Sequence, residues 1–266
     1  MNREEKVKSL LEKDRYYFDD LVTVVELLRS EGGCPWDMEQ THKSVRNDFI
    51  EETYEVIEAI DNDDPVLLRE ELGDVMLQVV FHARISEEEK QFCIDDVAND
   101  ICAKLIHRHP HVFGNVVADT SAEVLKNWEA IKSEEKSRVT VTDKLKAIPP
   151  MLPALMRATK VGKKAKCFDF PTADDVMDKI SEELVEVSEA MSEGNEEHIA
   201  EEIGDLLLSV TSLCRKLGVS AEEALNKATD KFIGRFEKVE NEVIAQNKEI
   251  SSCSVYELDE IWKKIK

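Results

Sequence analysis

Apolar residues recur along this chain at spacings of three and four, and runs of alternating apolar and polar residues are hard to find. Clear examples are the sets Leu72, Val75, Met76, Val79 and Ile203, Leu206, Leu207, Val210. Such spacing places the apolar side chains on one face of an α-helix. Glycine and proline are scarce, with 9 and 7 in 266 residues, so long stretches carry no helix breaker. The pattern predicts an all-α fold.

The same periodicity predicts ten helices joined by short segments. They are expected near residues 7–29, 41–61, 64–86, 94–108, 121–135, 150–165, 172–193, 195–217, 220–247 and 254–265. Residues 110–120 are expected to form a loop. Residues 137–149 contain several β-branched residues and lead into two consecutive prolines, so we interpret them as a linker.

The acidic residues of the predicted helices repeat along the chain at a constant offset in residue number. Glu51-Glu52-x-x-Glu55 recurs as Glu182-Glu183-x-x-Glu186, and Glu70-Glu71-x-Gly73-Asp74 recurs as Glu201-Glu202-x-Gly204-Asp205. Two clusters that match in register are not expected by chance, even in an acid-rich chain. We therefore interpret the chain as two tandem helical modules, residues 1–136 and 150–266, joined by the linker 137–149.

The charge of the chain restricts its partners. There are 35 Lys and Arg against 57 Asp and Glu, which gives a formal net charge of −22. Such a charge argues against a nucleic-acid binder, although a divalent metal can still make an acidic site fit for a phosphorylated ligand. No apolar run is long enough to cross a membrane, and the charged N-terminus does not resemble a signal peptide. The six cysteines form no C-x-x-C pair, so we expect reduced thiols in a cytoplasmic protein.

The repeated acidic residues are suited to holding a metal ion. Residues three and four positions apart share a helix face, and a short connection makes consecutive helices antiparallel neighbours, so the carboxylates of each copy are expected to converge. Oxygen ligands without Cys or His favour Mg²⁺, with Mn²⁺ as a substitute, and the absence of Glu-x-x-His disfavours a di-iron site. The predicted ligands are Glu183, Glu186, Glu202 and Asp205 in the second copy and Glu52, Glu55, Glu71 and Asp74 in the first. The alternative is that these residues are solvated faces of acidic helices.

Two further residue types repeat near the acidic clusters. Lys104 and Arg108 match Lys231 and Arg235 at a slightly smaller offset than the acids, and Trp128 loosely matches Trp262. A Lys–Arg pair beside a carboxylate–metal site would fit the phosphates of a nucleotide. The tryptophans are interpreted either as core residues or as platforms for a base.

The repeated glycines next to the acidic residues need a reason of their own. A glycine inside a helix costs about 1 kcal/mol relative to alanine. Gly73 and Gly204 therefore suggest either a close approach between helices or room for a ligand.

Together these motifs resemble a known family. The E-E-x-x-E and E-x-x-D pattern of both copies is similar to the signature of MazG-type nucleoside triphosphate pyrophosphohydrolases. Residues 33–42, 107–114 and 152–160 also resemble family signatures, so the similarity covers essentially the whole chain. One stretch departs from it: where the family has a glycine followed by a Phe-Asp-Trp-like sequence, this chain reads Cys167-Phe168-Asp169-Phe170. If this stretch lines the site, its base preference is expected to differ.

The resemblance implies a specific fold and reaction. It implies the all-α NTP pyrophosphatase fold, with four-helix-type modules that pair into homodimers, and the Mg²⁺-dependent conversion of NTP and water to NMP and diphosphate in house-cleaning of aberrant or surplus nucleotides. It also implies that the C-terminal module is the better-established active site. Carried over by position, Glu183, Glu186, Glu202 and Asp205 would hold metal. Lys231 and Arg235 would grip the phosphates, and Trp262 would lie at the nucleotide end.

Several alternatives stay open at this point. In the expected mechanism, Glu182 or Glu183 accepts a proton from a water that attacks in line at the α-phosphorus. The first copy retains its own acidic and cationic residues, so its activity is undecided. A second hypothesis is an acidic helical interaction or scaffold protein without hydrolytic activity. It accounts for the net charge but not for acidic residues repeated in register.

Overall fold

The structure, a computed structural model, describes residues 1–135 and 140–265. These residues form helices and connecting segments without a β-strand, so the all-α prediction is confirmed. The chain divides into two compact units, Met1–Lys132 and Ser133–Lys266. None of the described helices has the length and apolar character needed to cross a bilayer.

The first unit is organised around two long helices that pack along each other, α4 and α5. Its helices are α1 (Arg3–Leu11), α2 (Phe18–Leu28), α3 (Pro35–Glu39), α4 (Arg46–Asp61), α5 (Pro65–Glu88), α6 (Ile94–Arg108), α7 (Pro110–Phe113) and α8 (Ser121–Glu135). The main buried cluster consists of Val25, Val45, Val80, Phe81 and Ile85. It lies where α2 packs on the C-terminal half of α5. The repeated acidic residues of α5, Glu71 and Asp74, lie in the N-terminal half of the same helix.

The second unit contains a corresponding helix pair, α11 and α12. Its helices are α9 (Val141–Lys146), α10 (Ala154–Lys164), α11 (Ala173–Glu193), α12 (Glu196–Lys216), α13 (Ala221–Ala245) and α14 (Val255–Ile265). Short 3₁₀ turns lie at Lys166–Phe168 and Ile250–Ser252. The helix α10 packs against α12 and α13, and α13 packs against α14.

The turn inside each helix pair is built in the same way. In the first unit the Asp64 side chain accepts hydrogen bonds from the first backbone N–H groups of α5, and in the second unit Asn195 does the same for α12. The preceding residues, Asp63 and Gly194, both have left-handed backbone conformations, with φ of 52° and 70°. Because Asp64 and Asn195 are related by the same offset as the repeated acidic residues, the structural match follows the sequence repeat.

Three local predictions need correction. The single helix predicted over 7–29 is two helices, because the Asp20 carboxylate accepts the Tyr17 backbone N–H at the start of α2 and pairs with Lys13 across the break. The loop predicted over 110–120 begins with the short helix α7, which starts at a proline. The helix α3, which also starts at a proline, was not predicted.

The predicted module bounds remain a prediction. Residues 136–139, at the end of the first predicted module and the start of the predicted linker, lie outside the described residues, as does the last predicted residue, 266. Within the predicted linker, α9 begins after Thr140, whose side chain accepts the Asp143 backbone N–H, and it contacts α10.

Candidate metal and nucleotide site

The acidic residues of the second unit converge as their spacing predicts. Glu183 and Glu186 lie one turn apart on α11, and Glu202 faces them from α12. One carboxylate oxygen of each lies within 4.8 Å of the others. Glu183 is buried, with 5% of its surface exposed. Asp205, the fourth predicted ligand, lies outside this group of three but borders the same cavity as Glu183.

A lysine that the sequence reasoning missed lies among these carboxylates. The Lys179 Nζ lies 2.9 Å from Glu182 Oε1, 3.0 Å from Glu183 Oε1 and 3.8 Å from Glu186 Oε2. Its hydrogen bonds to Glu182 and Glu183 raise the pKa of Lys179 above its ordinary value. The ammonium group thus supplies the positive charge that crowded carboxylates require. Its spacing of three and four residues from Glu182 and Glu183 is a signal that could have identified it.

A histidine also contacts the cluster. His198, in the first turn of α12, has its Nε2 atom 3.1 Å from Glu202 Oε1 and its Nδ1 atom 2.9 Å from Glu193 Oε2. The hydrogen bond with Glu193, together with the two acidic neighbours, raises the pKa of His198. Sequence reasoning considered only histidines three residues after a glutamate, whereas His198 precedes Glu202 by four.

The donor set fits a divalent cation with oxygen ligands. Burial, together with the charges of Glu183, Glu182 and Glu202, raises the pKa of Glu186, although Lys179 opposes this shift. A carboxyl group whose negative form is disfavoured by its neighbours gains most from a cation placed between them. Glutamate oxygens are the ligands that Mg²⁺ and Mn²⁺ prefer.

The first unit repeats the carboxylate arrangement with a different charge balance. One oxygen each of Glu52, Glu55 and Glu71 lies within 4.8 Å of the others. Burial raises the pKa of Glu52 and of Glu71, and the negative charge of Asp74 adds to both shifts. The position that corresponds to Lys179 in the sequence repeat is Asp48. At this matched position the first unit therefore has an acid where the second has an ammonium group.

The two repeated glycines do not serve a close approach between helices. A Cβ atom built at Gly73 or at Gly204 would meet no atom within 4 Å. The sequence suggested either a close approach between helices or room for a ligand at these glycines. Only the second interpretation agrees with the open space in this structure.

The two arginines among the predicted phosphate-binding cations lie beside tryptophan rings. The Arg108 guanidinium lies 5.3 Å from the centre of a Trp128 ring, and that of Arg235 lies 5.9 Å from Trp262. Phe232 also packs on Trp262, with 5.2 Å between ring centres. Both tryptophans are half-buried, so neither is a core residue. The predicted cations Lys104 and Lys231 are exposed, each one helical turn before its arginine.

A cavity of about 270 Å³ opens beside the acidic cluster of the second unit. Glu183, Asp205 and Lys179 border it, and its remaining walls come from α10, the Lys166–Phe168 turn and α12. Lys231, Arg235 and Trp262 are not among the described residues that line it. The acidic site of the second unit therefore adjoins a cavity, which the sequence alone did not indicate.

Comparison with known proteins relates both units to one family. Residues 40–113 and 172–240 match the family described as MazG nucleotide pyrophosphohydrolase domain, and each segment contains one acidic cluster. The nucleoside triphosphate pyrophosphohydrolase/pyrophosphatase MazG of Thermotoga maritima is 43% identical over 251 residues, which cover 94% of this chain and 95% of that protein. A nucleoside triphosphate pyrophosphohydrolase of Escherichia coli K12 is 43% identical over 253 residues, which cover 93% of this chain and 96% of that protein.

Proposed function

The chain belongs to the MazG nucleotide pyrophosphohydrolase family, and on that premise we propose that it converts nucleoside triphosphates and water to nucleoside monophosphates and diphosphate. It is a hydrolase of nucleoside triphosphates, as its relatives are named. The observation that carries the proposal is the group Glu183, Glu186 and Glu202, whose converging carboxylates adjoin a cavity. The scaffold hypothesis has no comparable support, since it does not require carboxylates that converge in both units.

The metal that we propose for this site is Mg²⁺, held by Glu183, Glu186, Glu202 and Asp205. One carboxylate oxygen of each of the first three residues lies within 4.8 Å of the others, and the fourth residue borders the same cavity as Glu183. When bound, the ion would supply positive charge for the triphosphate oxygens and favour deprotonation of water. Lys179 would then lose its carboxylate partners and become available to a phosphate oxygen.

The proton of the attacking water requires an acceptor near the cluster. Glu182 and Glu183 are the candidates, and their environments differ. Glu183 is buried, while the side chain of Glu182 is mostly exposed and pairs with Lys179. We assign the acceptor role to one of these two carboxylates.

The phosphate-binding role of Lys231 and Arg235 favours a homodimer. Within one chain Arg235 lies beside Trp262, which also packs on Phe232. Neither Lys231 nor Arg235 is among the described residues that line the cavity. The same helix exposes Phe232 and Ile233, and α11 exposes Leu184 and Val185, which a second copy could cover. In such a dimer Lys231, Arg235 and Trp262 of one copy would contact the triphosphate held by the other.

The first unit has a separate part in this proposal. Lys104 and Arg108 stand at the positions that match Lys231 and Arg235, so the first unit retains the residue types that a second metal and phosphate site would need. We propose house-cleaning of aberrant or surplus nucleotides in the cytoplasm as the physiological role. Six free thiols suit such a reducing compartment.

The test is release of diphosphate from a panel of normal and modified nucleoside triphosphates, with and without Mg²⁺. We expect Mg²⁺-dependent release that falls at least about 100-fold in Glu183→Gln and Asp205→Asn, since loss of a ligand disturbs the charge balance at the metal. The matched control is Glu189→Gln, an exposed glutamate further along α11, which should remain as active as the wild type. Full activity of both ligand variants would exclude the assignment.

A further inference from the structure

The helix α10 and the segments that flank it are strongly cationic. Residues 144–168 contain no Asp or Glu, although acidic residues outnumber basic ones in the chain as a whole. The cations of this stretch are Lys144, Lys146, Arg157, Lys160, Lys163, Lys164 and Lys166. The last five are all exposed, and none of them forms an ion pair with a residue that the structure describes. These five residues form the α10 basic surface.

The crowding of like charges on α10 is unfavourable without an anion nearby. Arg157 and Lys160 are three residues apart and Lys160 and Lys164 are four apart, so they share one helix face and repel each other. The first unit does without such a surface. There the helix α2 packs on α5 much as α10 packs on α12, and it carries three acidic residues and no Lys or Arg. The packing of the helices therefore does not account for the α10 basic surface.

The α10 basic surface lies next to the cavity of the second unit. Every one of its five residues is the immediate sequence neighbour of a residue that lines the cavity; these lining residues are Ala158, Thr159, Val161, Gly162 and Ala165. Lys166 also begins the Lys166–Phe168 turn (the Phe168 turn), which supplies another part of the wall. Neighbouring Cα atoms are about 3.8 Å apart, less than half of the Debye length of about 8 Å at physiological ionic strength. The field of these cations therefore reaches the cavity, although their side chains do not line it.

We propose that the α10 basic surface guides anionic ligands to this cavity and so raises the rate at which nucleoside triphosphates associate with the chain. The inference rests on the proposed function, which makes a nucleoside triphosphate the ligand of the adjoining acidic site. A polyanion is repelled by a chain of net charge −22, but charges further away than a Debye length are largely screened. Local cations then dominate the approach, and a surface of one sign can raise association rates by about 10-fold or more.

The rate of association tests this proposal directly. Stopped-flow fluorescence would follow the full chain in Mg²⁺ as it binds a fluorescent, non-hydrolysable nucleoside triphosphate analogue. The triple variant Lys163→Gln/Lys164→Gln/Lys166→Gln should associate about tenfold more slowly than the wild type at an ionic strength of about 20 mM, and less than about twofold more slowly at about 0.5 M. Its dissociation rate should change less than about twofold, because these side chains act by their field and not by contact.

A matched control separates the local field from the total charge. The variant Lys8→Gln/Lys43→Gln/Lys90→Gln loses the same charge at exposed residues of the first unit and should associate as fast as the wild type. The double variant Lys163→Gln/Lys166→Gln should show an intermediate loss, and it provides the comparison if the triple variant does not fold.

Three results would overturn the proposal. One is a triple variant that associates as fast as the wild type at low ionic strength. Another is a control variant that loses as much as the triple variant does. The third is a loss that persists at high ionic strength, since a field effect would be screened there. A wild-type chain that binds the analogue but releases no diphosphate from nucleoside triphosphates would refute the proposed function alone.

Discussion

The stability of the second unit should depend on one carboxylate that joins the Phe168 turn to α12. Asp169 accepts a hydrogen bond of 2.8 Å from Arg215 Nη1, one of 2.9 Å from Lys216 Nζ, and a further one from Arg215 Nη2. All three side chains are less than one fifth exposed. We predict that Asp169→Asn destabilises this unit, because the amide keeps the size of the side chain but loses its charge.

The magnitude follows from the number and burial of these bonds. A hydrogen bond to a charged group contributes about 1.5–3 kcal/mol, and an exposed ion pair about 0–1 kcal/mol. Asparagine retains one acceptor oxygen, so a partly buried network of this kind should lose about 2 kcal/mol. For a unit of this size that corresponds to a fall in Tm of roughly 6–10 °C.

The pH dependence gives the prediction a second, independent signature. Arg215 and Lys216 hold the pKa of Asp169 well below its ordinary value of 3.8. The contribution of a carboxylate with a lowered pKa is present above the unfolded-state value and is lost as the pH falls through the folded-state value. The difference between wild type and Asp169→Asn should therefore be constant from pH 7 to pH 5 and shrink below about pH 4.

Scanning calorimetry of the full chain provides the assay, with Asp178→Asn as the control. Asp178 is an exposed residue of α11, and its substitution should leave every transition within about 0.5 kcal/mol of the wild type. The reasoning would be refuted if Asp169→Asn were as stable as the wild type. It would also be refuted by a stability difference that persists unchanged to pH 3.

Three further predictions concern ionisable residues of the two units. The Lys179→Met variant should bind Mg²⁺ about fivefold more tightly, because the substitution removes a competing cation, and should hydrolyse nucleoside triphosphates more slowly. Calorimetric titration would measure the metal binding, and diphosphate release would measure the hydrolysis. Burial and His42 lower the pKa of His82, so the first unit should lose stability as the pH falls below the ordinary value of 6.5. Urea unfolding at pH 7.5 and pH 5.5 should show this loss in the wild type and a smaller one in His82→Gln. An equimolar mixture of Glu183→Gln and Lys231→Ala chains should recover about a quarter of wild-type activity if each site uses both copies, and no recovery would argue against that dimer.

The helical fold and the core of the acidic site could be predicted because both depend on short-range spacing. Residues three and four apart share a helix face whatever the rest of the chain does, so Glu183 and Glu186 had to be neighbours. The repetition of these acids in register then marked them as candidate site residues among the many other acids in the chain.

The features that sequence analysis missed depend on contacts that the internal sequence repeat does not reveal. Lys179 escaped notice because its counterpart is Asp48, and a search for matched residues passes over a position where the two copies differ. The cavity depends on how α10, the Phe168 turn and α12 pack, which is tertiary information. The break before α2 depends on the side-chain contacts of Asp20, whose carboxylate accepts the Tyr17 backbone N–H at the start of α2 and pairs with Lys13.

The stacking of Arg235 on Trp262 has a consequence for the entropy of ligand capture. A free arginine or lysine side chain carries about 2 kcal/mol of rotamer entropy, which is lost when the side chain is fixed on a ligand. Arg235 loses part of this freedom when the protein folds, because the indole ring holds its guanidinium, whereas the exposed Lys231 keeps its freedom until a ligand arrives. Arg108 and Trp128 make the same contact, although the chain between arginine and tryptophan is shorter in the first copy than in the second. Both copies thus have an arginine that is partly ordered by a tryptophan before a ligand binds, although the chain that connects the two residues differs in length.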